Sequence, residues 1–265
     1  MQEIISKNNR LIKDIKSLQT KKGRQEKRQF IVEGYKSVYE AVCSDFIIDK
    51  VIISEENPET KKIINLLKEK KGFDSNKSLL KVSKDAFEKI SDTVSPQGIL
   101  SIVRQKEKKL TPQKNKLYII LEDMQDPGNL GTIIRTADAG GIGGIILTEN
   151  CVDLYNPKVI RSTMGSVFHI DVYTGCDLST TVKKLQENSF RIYAATGNSD
   201  YDIWSEKLYG SIAVIIGNES KGISDTTGCL ADKGIKIPMP GEAESLNASV
   251  AAGIIIYEYI RCRMS

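Results

Sequence analysis

The 265-residue chain has one histidine, one tryptophan and seven prolines. A single imidazole, His169, leaves no His-based zinc site to assemble. Any Ser-His-Asp triad would have to run through it. His169 lies in SVFHIDV, an apolar run that reads as a strand and suits a packing or surface histidine. The five cysteines, Cys43, Cys151, Cys176, Cys229 and Cys262, are scattered, and none forms a CxxC. An odd, dispersed set points to reduced thiols, not a disulfide framework. No stretch approaches the roughly 18 apolar residues of a membrane span. The opening MQEIISKNNRLIKDIK has no apolar signal-peptide core. Neither GxGxxG nor GxxxxGK[ST] occurs, which removes the dinucleotide fingerprint and the P-loop. These absences lead us to expect a cytoplasmic protein with no membrane contact and no metal.

What is present describes a globular protein, 40% hydrophobic and 27% charged. Charge is unevenly spread. Residues 1–116 hold 26 Lys and Arg against 16 Asp and Glu, and residues 117–265 hold 12 against 18. A basic part joined to an acidic part suggests two modules with different ligands. The basic module suits a polyanion such as RNA, although a lysine-rich solvated surface is an equally open reading of charge alone.

Along the chain, Ile4, Ile5, Leu11, Ile12, Ile15 and Leu18 recur at helical spacing. KKGRQEKRQF then reads as a dense basic turn before the short strand QFIVEG. Helices over YKSVYEAVC, PETKKIINLLKEKK and SKDAFEKIS alternate with strands over DKVIIS, LLKVS and GILSIVR. The polar, lysine-rich QKEKKLTPQKNK reads as a linker. We therefore expect an N-terminal domain over 1–104, a linker over 105–116 and a second domain over 117–265. The second domain opens with LYIILE, a continuous apolar run suited to a buried parallel strand. NLGTIIRTADAGG, GGIILT, NPKVIRSTMGS, VFHIDVY, DLSTTVKKLQENS, RIYAAT, SIAVIIG, GIKIPM and SLNASVAAGIIIYEYIRCR continue the α/β alternation. The pattern predicts a doubly wound parallel sheet, with ligands at the carboxyl ends of its strands.

Three loops at those ends are dense in small and polar residues: EDMQDPGNLG (122–131), IGNESKGIS (216–224) and IPMPGEAESLNAS (237–249). Their glycines let a ligand approach main-chain groups closely. DPGNLGTIIRTADA, VIIGNESKGIS and IPMPGEAESLNASVAAGIIIYEYIR, in that order, resemble the three motifs of the SpoU (TrmH-type) RNA ribose methyltransferases of the SPOUT superfamily. NPKVIRSTMGSVFHIDV fits between them. QFIVEGYKSVYEAV and SPQGIL resemble the family's substrate-binding domain, so the resemblance covers nearly the whole chain. The second motif departs from the pattern at Ser220, where a glycine often follows the glutamate.

The resemblance implies an α/β fold, with a C-terminal doubly wound domain tied in a deep trefoil knot and a smaller N-terminal α/β RNA-binding domain. It implies S-adenosylmethionine as cofactor, a homodimer, and methyl transfer to a ribose 2′-hydroxyl of RNA, ribosomal more than transfer. A non-catalytic RNA-binding or ribosome-assembly protein on the same fold is the alternative. The implied catalytic residues are Asn129, Arg135, Glu219, Ser245 and Asn247. The implied cofactor residues are Thr196, Gly197, Gly217, Asn218, Gly222, Ile237, Met239, Ser245 and Leu246. Candidate RNA contacts are Lys21, Lys22, Arg24, Lys27 and Arg28 of the basic stretch, together with Arg135. A guanidinium is not deprotonated in proteins, so Arg135 suits a phosphate anchor and a stabiliser of developing alkoxide better than a general base.

Overall fold

The computed structural model describes residues 2–4, 10–70 and 72–264. The first elements in chain order are β1 (Gln2–Ile4), α1 (Arg10–Ser17), α2 (Lys21–Lys27), β2 (Gln29–Glu33), α3 (Tyr35–Cys43) and β3 (Ile48–Ile53). Then come α4 (Pro58–Glu69), α5 (Ser75–Ser78), β4 (Leu79–Val82), α6 (Lys84–Ile90) and β5 (Ile99–Arg104). They are followed by β6 (Leu117–Leu121), α7 (Pro127–Gly140), β7 (Gly144–Thr148), α8 (Pro157–Ser162) and β8 (Val172–Cys176). The last are α9 (Leu178–Glu187), β9 (Arg191–Ala195), β10 (Ile212–Ile216), α10 (Asp225–Leu230), β11 (Lys233–Ile235) and α11 (Ala248–Met264).

These elements form two compact units. The first comprises Met1–Lys106 and Asp153–His169. Its mixed sheet has the order β1-β4-β3-β5-β2, with β5 antiparallel to both neighbours. Ile12, Ile15 and Leu18 pack with Ile52, Leu80 and Phe87 in its core. Burying each such side chain contributes about 1.5–3 kcal/mol. The Asp153–His169 segment falls outside the expected N-terminal boundary, and specific contacts hold it in this unit. The Tyr155 ring lies 4.5 Å from that of Phe30, and Phe168 meets Phe46 edge-on at 5.1 Å. Arg24 reaches Asp153 at 2.6 Å, with only 3% of the arginine side chain exposed.

The second unit comprises Glu107–Val152 and Ile170–Ser265. Its six-stranded sheet is wholly parallel, with the order β11-β9-β10-β6-β7-β8. Every residue of β6, β7 and β10 is buried, which is why these strands read as unbroken apolar runs. From β6 the chain winds one way through β7 and β8, then returns to the other side of β6. The point where the order reverses lies between β6 and β10, and ligands of open parallel sheets bind at such a point.

Several expected elements differ. Ile4 lies in β1, paired in parallel with β4, and not in a helix; Ile5 lies outside the described residues. The basic turn is instead α2, capped by Thr20, whose hydroxyl accepts from Gly23 N at 3.1 Å. VFHIDVY is not one strand: a 3-10 turn takes up Ser166–Phe168 and β8 begins at Val172. His169 sits between them, with Nε2 3.2 Å from a Glu40 carboxylate oxygen. GIKIPM contributes only its first residues to β11.

Candidate active site

The site is built where β6 and β10 end side by side. After β6, Asp126 caps α7: its Oδ1 accepts from Asn129 N at 2.6 Å, and Pro127 occupies the first turn. Asn129 therefore lies inside the helix and not in the turn before it. The preceding Asp123 adopts a left-handed backbone, with φ 54°, unusual for a non-glycine residue. Such strain costs about 1–3 kcal/mol and persists only where the surroundings over-determine it. Here they do. Asp123 N donates to Thr148 Oγ1 and Thr148 Oγ1 donates back to Asp123 Oδ1, both at 2.9 Å. The Asp123 carbonyl accepts from Asn218 Nδ2 at 2.8 Å and from Gln125 Nε2 at 3.1 Å.

After β10, Gly217–Gly222 closes into a tight loop. Asn218 and Gly222 exchange two main-chain hydrogen bonds of 3.0 and 2.9 Å. Asn218 Oδ1 accepts from Ser220 N and Lys221 N, so the loop tolerates serine after Glu219. Gly217 faces the Gly222 carbonyl so closely that a Cβ would overlap it, which restricts the position to glycine. The loop aims Glu219 at the start of α7. Its Oε1 accepts from Asn129 Nδ2 at 3.2 Å and Asp126 N at 3.3 Å, and its Oε2 from Gln125 N at 3.4 Å.

The third loop supplies Asn247. Its Nδ2 donates to Asn129 Oδ1 at 2.9 Å, while its Oδ1 accepts from Ser249 N at 2.9 Å at the start of α11. Glu219 and Asn247 from two loops and Asn129 from the first turn of α7 thus form one relay. A cavity of about 730 Å³ opens beside them, lined also by Gln125, Asp126, Pro127, Ser245, Leu246 and Ala248. A neighbouring cavity of about 460 Å³ shares Gln125 and Glu219 and adds Asn218 and Gly222, with the carboxylates of Glu122 and Asp123.

The structure brings together Asn129, Glu219, Ser245, Leu246 and Asn247. Arg135 is not among the lining residues: its side chain is exposed on α7 and makes no ion pair among the described residues. It lies six residues beyond Asn129, which at 3.6 residues per turn is about 120° around the helix. Thr196, Gly197, Ile237 and Met239 line neither cavity. Thr196 N donates to Ile235 O at 2.9 Å, which places the ends of β9 and β11 together, and a Cβ on Gly197 would meet open space. Ile237 and Met239 are half-buried in a stretch of a distinct kind. Among the described residues, none from Ile237 through Leu246 gives or accepts a hydrogen bond.

Of the basic residues proposed to meet RNA, Arg24 is 2% exposed and serves the interior of the first unit. It donates to the carbonyls of Leu18 and Gln19 and to Asp153. Lys27 pairs with Asp14 at 2.8 Å and Lys22 with Glu26 at 3.9 Å. Lys21, Lys22 and Arg28 remain on the surface. Gln125, Asp126 and the Asp123–Thr148 pair are site residues that the motif reading missed. Asp before Pro at a helix start is a readable cap signature; Asp123 and Gln125 carry no such signal.

The sequence model of the SpoU rRNA Methylase family matches residues 116–257. The chain belongs to that family. The model of the MRM3-like substrate binding domain matches residues 9–101 of this SpoU-family chain. The chain is 33% identical over 257 residues, 97% of its own length and 98% of its relative's, to the 23S rRNA (guanosine(2553)-2′-O)-methyltransferase RlmP of Bacillus subtilis. The AdoMet-bound rRNA methyltransferase of Sinorhizobium meliloti superposes with a TM-score of 0.88 at 30% identity, covering 100% of this chain and 99% of that one. An RNA 2′-O ribose methyltransferase matches with a TM-score of 0.84 at 28% identity, over 100% of both chains.

Proposed function

We propose that this SpoU-family chain transfers a methyl group from S-adenosyl-L-methionine to a ribose 2′-hydroxyl of ribosomal RNA. The observation that carries the reading is the Glu219–Asn129–Asn247 relay beside a stretch of unpaired main chain. The residues present fit the cofactor. The Ile237–Leu246 segment offers open carbonyl groups throughout and open amides at every position except Pro238 and Pro240, which carry no N–H. Leu246, 37% exposed and lining the larger cavity, supplies apolar surface for a planar ring. The carboxylates of Asp126 and Glu219 suit a ligand with positive charge. Ser245 and Leu246 would hold the cofactor on one side, with Gly217, Asn218 and Gly222 on the other. The threading of the family's trefoil knot belongs to the same reading.

The cofactor, when bound, supplies an electrophilic methyl on a positively charged sulfur. Attack by the ribose oxygen would form the new O–C bond as the C–S bond breaks, with that bond's electron pair staying on sulfur and the hydroxyl proton passing to solvent. A 2′-hydroxyl is a poor nucleophile at neutral pH, so alignment supplies much of the rate. The relay fixes the Asn129 and Asn247 amides and presents Glu219 as an acceptor close to where a ribose can dock. Arg135 contributes a permanent cation, which holds the adjacent phosphate and stabilises charge developing on the ribose oxygen.

Arg135 acts in a homodimer on this reading. α11 packs on α7 and exposes Val250, Tyr257 and Met264 at 50%, 56% and 84%. Their spacing of seven residues puts them on one face. A homodimer through this face covers the stripe and carries Arg135 to its boundary. No described helix is long and apolar enough to cross a membrane, and we place the protein in the cytoplasm with its RNA. The test is calorimetry with S-adenosylmethionine, followed by transfer of a labelled methyl to 23S rRNA. Binding with transfer is expected. RNA binding without cofactor binding would instead establish a non-catalytic assembly factor.

A further inference from the structure

The first unit has a cleft of its own, about 250 Å³, lined in part by Glu33, Lys36, Ser37, Thr93, Gln97 and Arg161. It opens where β2 passes through Gly34 into the nine-residue helix α3. The first four N–H groups of a helix have no intrahelical acceptor and must find one elsewhere. At α3 two of them do. Gly34 N donates to Ile99 O at 3.1 Å, and Tyr35 N to Gln97 Oε1 at 2.8 Å. Gly34 has no side chain to cap the others. The N–H groups of Lys36 and Ser37 make no hydrogen bond among the described residues. The Ser37 hydroxyl also has no partner among the described residues, although Ser37 is only 9% exposed and lines the cleft. Lys36 is exposed and makes no ion pair among the described residues.

The acidic groups of the cleft are already engaged. Glu33 accepts from Ser91 Oγ at 2.5 Å, Thr93 Oγ1 at 2.7 Å and Asp92 N at 3.1 Å. Asp92 pairs with Arg161 at 2.5 Å. The cleft therefore presents open donors at the positive end of a helix, beside a free ammonium group, while its carboxylates are occupied. That chemistry selects an anion with several acceptor oxygens.

We propose that this cleft holds a backbone phosphate of the RNA substrate. The phosphate oxygens accept from the Lys36 and Ser37 N–H groups and the Ser37 hydroxyl, with the Lys36 ammonium beside them. The proposal rests on the reading of the chain as an enzyme of ribosomal RNA. It also moves the RNA contact of the first unit away from α2, where Arg24 is buried and Lys22 and Lys27 have acidic partners.

The experiment is filter binding of 23S rRNA to the full-length chain across a salt series, with Lys36→Gln, Ser37→Ala and Lys22→Gln. Circular dichroism and cofactor affinity report whether each variant folds as the parent does. Ser37→Ala should weaken binding about 3- to 10-fold, the loss of one hydrogen bond. Lys36→Gln should weaken it at least as much and lower the salt slope by roughly 0.7–0.9, one phosphate contact. Lys22→Gln should change binding less than either. Binding by the folded Lys36 and Ser37 variants equal to the parent's overturns this proposal and leaves the methyltransferase reading standing. A parent chain that binds no 23S rRNA overturns both. A second probe is inorganic phosphate, followed by NMR of the full-length chain. Shifts centred on the Lys36 and Ser37 amides support the site; shifts centred on α2 contradict it.

Discussion

Asn247 does two things with one side chain, and two substitutions separate them. Its Oδ1 accepts from Ser249 N and from Ser249 Oγ at 2.9 and 2.6 Å, which caps α11. Its Nδ2 donates to Asn129 Oδ1 at 2.9 Å. The direction of the relay follows from chemistry. An ionised carboxylate only accepts, so Glu219 fixes the Asn129 amide with its nitrogen toward Glu219. The Asn129 oxygen then faces Asn247, which must donate. Asn247→Asp keeps a capping oxygen and adds a charge that the helix start favours by roughly 0.3–1 kcal/mol. It removes the donor, however, and sets two acceptors against each other at a cost of about 1–3 kcal/mol. Asn247→Ala loses the relay and also the cap, which contributes about 1 kcal/mol. The expected outcome is a split. Asn247→Asp should melt within a few degrees of the parent, while Asn247→Ala should fall below it by about 2–4 °C per kcal/mol lost. Both should lose about 10- to 100-fold in kcat/KM, since 1.4 kcal/mol is a factor of ten. Scanning calorimetry and labelled-methyl transfer measure the two quantities. Full activity in Asn247→Asp, or equal loss of melting temperature in the two variants, would rule out this division of roles at Asn247.

Gly217→Ala should open the Gly217–Gly222 loop, because the new methyl overlaps the Gly222 carbonyl. Overpacking of this kind costs about 1–3 kcal/mol, and cofactor titration should show affinity falling with stability; unchanged affinity would show that the loop is dispensable. Arg135→Ala should abolish methyl transfer and leave cofactor binding largely intact, since the side chain is exposed and apart from the cavity. Turnover by that variant at the parent rate would remove Arg135 from the chemistry. Glu258 is 4% exposed, and the hydrogen bonds from Arg261 hold its carboxyl below its usual value of 4.5. The stability it contributes is present above 4.5 and is lost as pH falls through the lowered value. The drop in melting temperature below pH 4.5 should therefore be shallower in Glu258→Gln, and identical acid profiles would contradict the assignment.

Most of the second unit was legible because its strands are buried on both faces. LYIILE and SIAVIIG became β6 and β10 with every strand residue buried. Signals that needed tertiary context were misread. VFHIDVY is apolar enough for a strand, yet Phe168 turns to pack on Phe46, and the chain spends a 3-10 turn getting there. KKGRQEKRQF looked like a turn because of its glycine and charge. In the fold Arg24 is an interior ion-pair partner, and Thr20 caps a helix. NPKVIRSTMGS has a helical pattern and forms a helix over Pro157–Ser162, but no local pattern shows that it packs with β2 in the first unit. At the site, Asn129, Glu219 and Asn247 came from motif resemblance, and the structure supplies the donor order among them. The left-handed Asp123 and the open donors at Lys36 and Ser37 had no sequence signal, because both depend on which partners the fold brings or withholds.

Methyl transfer to a ribose oxygen is the reaction on which the roles of these residues depend. Purified protein, 23S rRNA and S-adenosylmethionine bearing a deuterated methyl group, followed by nuclease digestion and mass spectrometry, test it most directly. The labelled methyl is expected on the 2′-oxygen of a nucleoside, and is absent when Arg135→Ala replaces the parent. A label found on a base, or none found with cofactor bound and RNA present, would contradict it.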